Sequence, residues 1–440
     1  MPLKLCYFDF INMLNRAKQF FLLYRTELII FLIALPYLIA QNLHGGDFRI
    51  LLTGSGYLAK GFSPYGIVMP IEPGITDVFL YSPFVGFILM PLTYLPEIIP
   101  TFIFCLVNFL MLYRIWHIMG NWLQIKTLSD IQKKWWFAIS IALTLRFILH
   151  NFEKAQMNIV VFYLTFEGLY QIFLLAKPAR GGFLLALGIC LKVLPVIFLP
   201  YLVYRKKISS TMAVVLFCML LLLLPATWFG FAFDVHLLQG WWAAINPTLD
   251  KYNSQQNVGV YFHCISALIP VYFSDCSYQG LSVNIMSLEP QALFLLINII
   301  RASLVGLVFF FLLKSASDNK RNAIFMFWEQ AYIFLLIPLV FPHQQKYSYV
   351  NLLPVFGYIA YYIVNVFAVS TKTGKRDKTI LLVSMAVILI PLVLSADIFW
   401  GMRIGKYFQF MKMVTIGTIL LIPVLAYFSP ARFLRVTEPG

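Results

Sequence analysis

Charge is what this chain has least of. Only 12% of its 440 residues are Asp, Glu, Lys or Arg, and just 18 are acidic. A soluble domain carries roughly 25% charged residues, so there is too little polar side chain here to cover a globular surface in water. A water-soluble enzyme, a disordered chain and a fibrous protein are excluded together. Cysteine is also scarce. None of the six stands in a Cys-x-x-Cys pair, which removes the zinc knuckle and the thioredoxin-type couple. Internal repeats, low-complexity tracts and soluble domains are absent from the sequence. Gly54-Ser55-Gly56 lacks the third glycine and the preceding strand of a phosphate loop.

What the chain has in abundance is apolar surface: 61% hydrophobic residues and a mean hydropathy of +0.82. Spans need roughly 18 or more mostly apolar residues in a row. Runs of that kind, some of them short, cover 27–41, 79–95, 98–119, 135–150, 157–176, 181–203, 209–229, 291–313, 323–341, 348–369, 379–397 and 411–428. The expected fold is therefore an all-α polytopic membrane protein of about 12 hydrophobic segments, a single integral membrane domain over 1–440. Residues 42–78 form the first loop after the first span, and 230–290 a large loop. Residues 1–26, with Lys4, Arg16, Lys18 and Arg25, carry no apolar stretch followed by a small-residue cleavage site, and read as an uncleaved cytoplasmic segment.

The basic residues decide the sides. With one crossing per segment, 16 Lys and Arg fall inside and 13 outside, which is scarcely a bias. If 79–119 makes one net crossing and 181–203 enters and returns, the division becomes 22 against 7. Cytoplasmic loops are enriched in Lys and Arg, so the second arrangement is expected, with both termini inside. Pro83, Pro91, Pro96 and Pro100 supply break points in the first irregular segment, and Lys192-Val193-Leu194-Pro195 in the second. The loops 42–78, 151–156, 230–290, 342–347 and 398–410 then lie outside. Basic turns such as 371–378 are natural neighbours of anionic lipid head groups, so the +15 balance speaks of topology and not of nucleic acid.

Five polar clusters fall on that outer side. Asp47 lies in Gly45-Gly46-Asp47-Phe48-Arg49, followed by Ser63-Pro64-Tyr65 and by Asp77-Val78-Phe79-Leu80-Tyr81-Ser82-Pro83. The second cluster runs from His150 to Asn158 and includes Gln156. The third is Lys192, in the middle of an apolar segment, where an ammonium needs an acid or a ligand phosphate as partner. The fourth contains Asn253, and the fifth is Pro342-His343-Gln344-Gln345-Lys346-Tyr347. Each has a bland reading, as a helix cap or a solvated turn. Together they offer a base, cations for phosphate and amides for sugar hydroxyls, which suits a lipid-linked sugar donor. Cys264 and Cys276 share the 230–290 loop and read either as a disulfide or as two buried thiols.

At these residues the chain resembles the GT-C superfamily of membrane glycosyltransferases, and most of all glycosyltransferase family 87, the polyprenol-phosphate-mannose-dependent α-mannosyltransferases. The matching pieces are Asp47, Ser63-Pro64-Tyr65, Tyr81-Ser82-Pro83, Gln156-x-Asn158, Leu191-Lys192-Val193-Leu194-Pro195, Asn253-Ser254-Gln255 and Pro342-His343. The resemblance implies a GT-C fold with membrane-parallel helices in 42–78 and outer loops forming the active site. It implies inverting transfer from a polyprenyl-phosphate sugar to a lipid or glycan acceptor at the outer face of the cell membrane. Asp47 becomes the catalytic base, and Lys192, His343 and Lys346 take the donor phosphate. Gln156, Asn158, Asn253, Tyr81 and Tyr65 bind sugar or acceptor. No cofactor and no metal are expected, since position 49 is Arg where a metal-binding pair would place a second acid. Position 155 departs from the pattern, with Ala where relatives often place Gly.

Two other functions compete: a flippase for the same lipid-linked sugar, and a non-catalytic subunit of an envelope assembly complex. Transporters tend to repeat their broken helices in both halves, and here the visible irregularities all precede residue 204. The topology is directly testable. A tag at position 130 is expected to react from the cytoplasm and one at 152 from outside; a cytoplasmic 152 contradicts the arrangement.

Overall fold

The computed structural model describes residues 46–72, 75–246, 259–315, 322–368 and 372–437, together with Pro36. Almost all of the first apolar run, 27–41, and Asn253 lie outside the described residues. Within them the chain is overwhelmingly helical. Seven helices are long and apolar enough to cross a membrane: Ile98–Trp122, Asp130–Glu153, Ile208–Phe229, Pro290–Leu313, Ala323–Val340, Lys346–Val366 and Arg376–Leu394. An eighth is obtained if the pair Asp397–Phe410 and Met413–Tyr427, bent by 63°, counts as one span.

The twelve apolar runs thus do not map one to one onto long helices. Three of them fold into shorter apolar helices: Pro83–Tyr94, Asn158–Phe173, Pro178–Leu191 and Leu194–Tyr204. The proline-rich run 79–95 is a short helix leading to the 25-residue Ile98–Trp122. In the run 181–203 the helix ends at Leu191, Lys192 is extended (φ −154°, ψ 123°), and a 3-10 turn carrying Pro195 follows. Both interruptions stand where proline removes a helical donor.

The described part of the loop 42–78 adds strands to the expected helix. It holds one helix, Asp47–Ala59, and then an antiparallel hairpin of Val68–Glu72 with Ile75–Val78, which pairs Met69 with Asp77. The second half is also less regular than its sequence implies. A π-helical stretch covers Ile390–Leu394, Gly401 breaks the helix Asp397–Phe410, and Lys412 adopts a left-handed conformation at the 63° bend. Irregularity is therefore not confined to the first half, and it no longer separates an enzyme from a transporter. The two loop cysteines are free: the Cys264 thiol meets Ser266, and the Cys276 thiol points to the Pro270 carbonyl.

Burial sorts the helices. Ala323–Val340 and Lys346–Val366 are 83% and 89% buried and form the centre, whereas Ile208–Phe229 is only 11% buried at a hydropathy of 2.4. An exposed surface that apolar, carrying Met212, Leu216, Met219 and Leu220, belongs against lipid. Several buried charges are paired. Arg205 donates to Glu329, which also accepts from Tyr201 at 2.8 Å. Arg114 meets Glu167 at 2.9 Å, and Arg432 meets Asp377.

Close packing of small residues sets the height of Lys192. Helix Pro178–Leu191 passes helix Asn158–Phe173 at Gly168 and Gly181, where a Cβ on Gly181 would stand 2.6 Å from the Gly168 carbonyl. On its other side Gly182 lies against Ala213 and Ser210. Contacts of this kind hold helices together where no water drives association. Gly181→Ala is expected to lower stability by about 1–3 kcal/mol. Gly306→Ala, at a helical glycine with nothing within 4 Å, should be neutral or stabilising by up to about 1 kcal/mol. Thermal unfolding in detergent checks the pair.

Candidate active site

Asp47 opens its helix because Gly46 precedes it. Gly46 has φ 109° and ψ 179°, and a Cβ there would lie 2.7 Å from the Lys154 carbonyl. That same carbonyl accepts from the Asp47 backbone N–H at 3.1 Å. Glycine is the residue that tolerates both the dihedral and the close approach. The partner loop is shaped by a second left-handed residue, Ala155 at φ 48°. Helix Asp130–Glu153 ends there, and helix Asn158–Phe173 begins three residues later. The loop between them turns the amide of Gln156 onto the Asp47 carboxylate.

Across from this pair, Lys192 emerges where its helix breaks and donates to Asn158 Oδ1 at 3.0 Å. Its ammonium also lies 5.4 Å from the centre of the Tyr347 ring. Asp47, Gln156, Asn158 and Lys192 thus come together from three separate parts of the sequence. Burial pushes the Asp47 carboxyl up to about 6, against the opposing influence of Lys192 and Gln156, and Asp77 pushes in the same direction as burial. A carboxylate whose proton affinity lies close to neutral is suited to accept a proton from a hydroxyl.

The polar atoms here are not all satisfied. Gln156 Oε1, Asn158 Nδ2 and Asn151 Oδ1 are buried and have no hydrogen-bond partner among the described residues. Buried polar groups of folded proteins are rarely left so, and three in one neighbourhood leave donors and acceptors for a hydroxyl-rich ligand.

The remaining candidates surround this centre at different distances. Tyr81 is buried and interacts with Asp47. Ser82, next to it, donates to the Cys190 carbonyl at 2.5 Å and so ties this element to the end of the Lys192 helix. Tyr65 gives its hydroxyl to the Tyr81 carbonyl at 2.7 Å, so it supports Tyr81 and has no free proton to offer a ligand there. Helix Phe231–Ile245 packs on this wall: Gly240 lies against the Tyr65 ring, and the Trp241 indole donates to Leu80. Lys346 precedes the Tyr347 whose ring takes the Lys192 ammonium, and has Arg146, Asp397, Glu153 and Lys154 as charged neighbours, Lys154 being one that it shares with Asp47. The His343 ring packs on Phe262, with centroids 4.6 Å apart. Glu153 and Lys154, charges without an obvious role in the sequence, pair with each other, and Glu153 also meets His150 at 3.1 Å.

Sequence reasoning passed over Tyr347 as a site residue. It is buried, takes the Lys192 ammonium on its ring, stacks with His150, and its carbonyl accepts from Asn151 at 2.7 Å. The signal was present, since Tyr347 ends the polar turn that begins at Pro342. An aromatic at the start of an apolar helix simply reads as core.

The family model of glycosyltransferase family 87 matches residues 79–338. No curated protein matches the chain. The matched stretch takes in Tyr81, Gln156, Asn158 and Lys192, while Asp47, His343 and Lys346 lie beyond its ends. It covers more than half of the chain and agrees with the helical membrane architecture. The chain belongs to glycosyltransferase family 87.

Proposed function

We propose that this glycosyltransferase moves a sugar, mannose foremost, from a polyprenyl-phosphate donor to a hydroxyl of a lipid or glycan acceptor, at the outer face of the cytoplasmic membrane of a bacterial cell. The acceptor oxygen attacks the anomeric carbon, and the bond from that carbon to the phosphate oxygen breaks with its electron pair leaving on the phosphate. The acceptor proton passes to Asp47. Attack from the face opposite the leaving group inverts the anomeric centre. Lys192, His343 and Lys346 offset charge on the departing lipid phosphate, as fixed cations do at developing oxyanions. Gln156, Asn158, Tyr81 and Asn253 orient sugar or acceptor, Tyr65 holds Tyr81 in place, and the chemistry runs without a metal or a cofactor.

The observation that carries this reading is a buried Asp47 held by the Gln156 amide, with Lys192 close enough to influence its charge, in a neighbourhood of unsatisfied amides. Such a site offers a base, a cation and sugar-binding groups within one side chain of one another. The bent helix pair at Lys412 gives the flippase reading its one structural support. Family membership favours transfer over translocation.

The test is transfer by the purified protein from a radiolabelled polyprenyl-phosphate sugar to candidate lipid acceptors. Asp47→Asn is expected to lower kcat by about 100-fold or more, the scale of a lost general base. Lys192→Ala should raise KM for the donor more than for the acceptor. Transfer that survives in Asp47→Asn removes Asp47 as the base. Failure with every donor, together with measured translocation, gives the flippase reading instead.

A further inference from the structure

Between Arg376–Leu394 and Met413–Tyr427 the chain passes through the helix Asp397–Phe410, which Gly401 cuts in two with φ 74° and ψ 166°. Residues with a Cβ rarely adopt that backbone. The piece after Gly401 has two unlike faces. Gly405 and Gln409 are buried against Asp397: a Cβ on Gly405 would collide with its carboxylate, and the Gln409 amide donates to it at 2.8 and 3.1 Å. Met402, Arg403, Lys406 and Tyr407 fall together on the other face at helical spacing. Asp397 is thus engaged on the side away from the two cations.

That second face lines a cavity of about 480 Å³ together with Gln279. The wall that carries Gln279 is firmly built. Tyr278 and Leu281 exchange backbone hydrogen bonds of 2.9 and 3.0 Å, and Gln279 takes φ 50° between them. The Tyr278 ring stacks on Phe410 at 5.8 Å and meets Tyr407 edge-on at 6.4 Å, while the Tyr272 hydroxyl donates to the Met411 carbonyl at 3.0 Å. Arg403 and Lys406 are exposed and form no ion pair with an acid among the described residues. Two charges of one sign therefore stand at a preformed cavity without an acid of the described residues set against them.

The surroundings of the cavity are apolar and bare. Ile398, Phe399, Trp400 and Met402 are all more than half exposed, Ile398 at 87%. Exposed apolar patches of this kind mark interaction surfaces. This one joins the outward stripe Leu382, Val383, Val387, Ile390 and Leu394 of the span Arg376–Leu394, because the Trp400 indole donates to the Leu394 carbonyl at 2.7 Å. Between Leu382 and Leu394 the stripe rises about 18 Å at 1.5 Å per residue. Half of a bilayer's hydrocarbon core is about 15 Å, so acyl chains of one leaflet lying along the stripe bring their headgroup to the level of Arg403 and Lys406. Basic residues beside an exposed aromatic and aliphatic surface are the means by which interfacial helices hold anionic lipid. Continuity with the stripe favours lipid over a protein partner, and the unopposed cations favour a headgroup of net negative charge over a zwitterion.

We propose that the cavity of Arg403, Lys406, Gln279 and Tyr407 seats the headgroup of an anionic glycerophospholipid of the bilayer, with its acyl chains over Trp400 and the stripe 382–394. The guanidinium and the ammonium take the phosphodiester, and the Gln279 amide and Tyr407 hydroxyl serve a hydroxylated headgroup. The lipid is a bound neighbour and not a substrate. The site shares no residue with the centre at Asp47, so the inference stands apart from the transfer reaction.

Bromine on acyl chains quenches nearby indole fluorescence, and Trp400 reports on the proposed chains. The purified full chain is reconstituted in phosphatidylcholine vesicles with a rising fraction of brominated phosphatidylglycerol in one arm and of brominated phosphatidylcholine in the other. The Trp400 signal is the difference between the wild type and Trp400→Phe. Phosphatidylglycerol is expected to reach half-maximal quenching at about a tenfold lower fraction than phosphatidylcholine, on the scale of two interfacial cations. Arg403→Gln combined with Lys406→Gln should bring the two lipids together. Salt at about 1 M should do the same in the unaltered protein, where no folding defect can intervene. Lys60→Gln, at an exposed cation elsewhere, should keep the preference. Equal quenching by both lipids in the wild type overturns the proposal, as does a preference that survives the double variant and high salt. Quenching by neither lipid overturns it too, and shows that a protein surface, such as a second copy of this chain, covers the patch. No sugar donor is present, so failure here leaves the transfer experiment untouched, and the reverse also holds.

Discussion

The Asp47 carboxylate, held by the Gln156 amide and faced by Lys192, is the interaction around which the rest of the molecule is arranged. An acid sunk in protein resists ionisation, and a cation nearby restores part of what burial takes away. Neither residue can be moved alone. Without Lys192 the acid would lose an influence that favours its ionised form, and without Asp47 the lysine would lose the acid nearest it beside the Tyr347 ring. That mutual dependence explains why three unrelated stretches of chain converge with such specific backbone. Gly46 approaches the Lys154 carbonyl where a side chain would collide, and Ala155 turns left-handed to present Gln156. The Lys192 helix is fixed from both flanks by glycine contacts before it breaks.

Left-handed backbone at residues other than glycine recurs along the chain. Among the seven described non-glycine residues of positive φ, Ala155 presents Gln156 to Asp47 and Lys412 stands at the 63° bend, while others such as Gln124 and Lys206 lie at helix ends. Elsewhere the protein follows the rules for helices in lipid. Apolar faces turn outward, small residues line the contacts, and acids such as Glu329, Glu167 and Asp377 inside are paired.

Much of this was legible in the sequence. Scarcity of charge gave the membrane class, and Lys192 followed by Pro195 marked the helix break that the structure contains. Lys192 stood out by its costly placement, whereas Asp47, Gln156 and Asn158 stood out only as members of polar clusters and through the family resemblance. Other features were hidden for physical reasons. Apolar runs such as 79–95 satisfy a hydropathy window, yet prolines hold them to short helices. The hairpin after Tyr65 has strands too short for alternation to stand out. The second-half bend turns on Lys412, a residue type that carries no backbone signal for a left-handed conformation.

The account rests on Asp47 being a buried base whose proton affinity is set against Lys192, and the pH dependence of transfer reads this directly. Burial raises the carboxyl to about 6, so the ionised, working form is lost as pH falls through that value. The acidic limb of kcat/KM is therefore expected near pH 6 in the wild type. Lys192→Ala removes an influence that lowers the value, and should move the limb upward by about 1 unit or more. A wild-type limb close to 4, or a limb that stays in place in Lys192→Ala, would contradict the account.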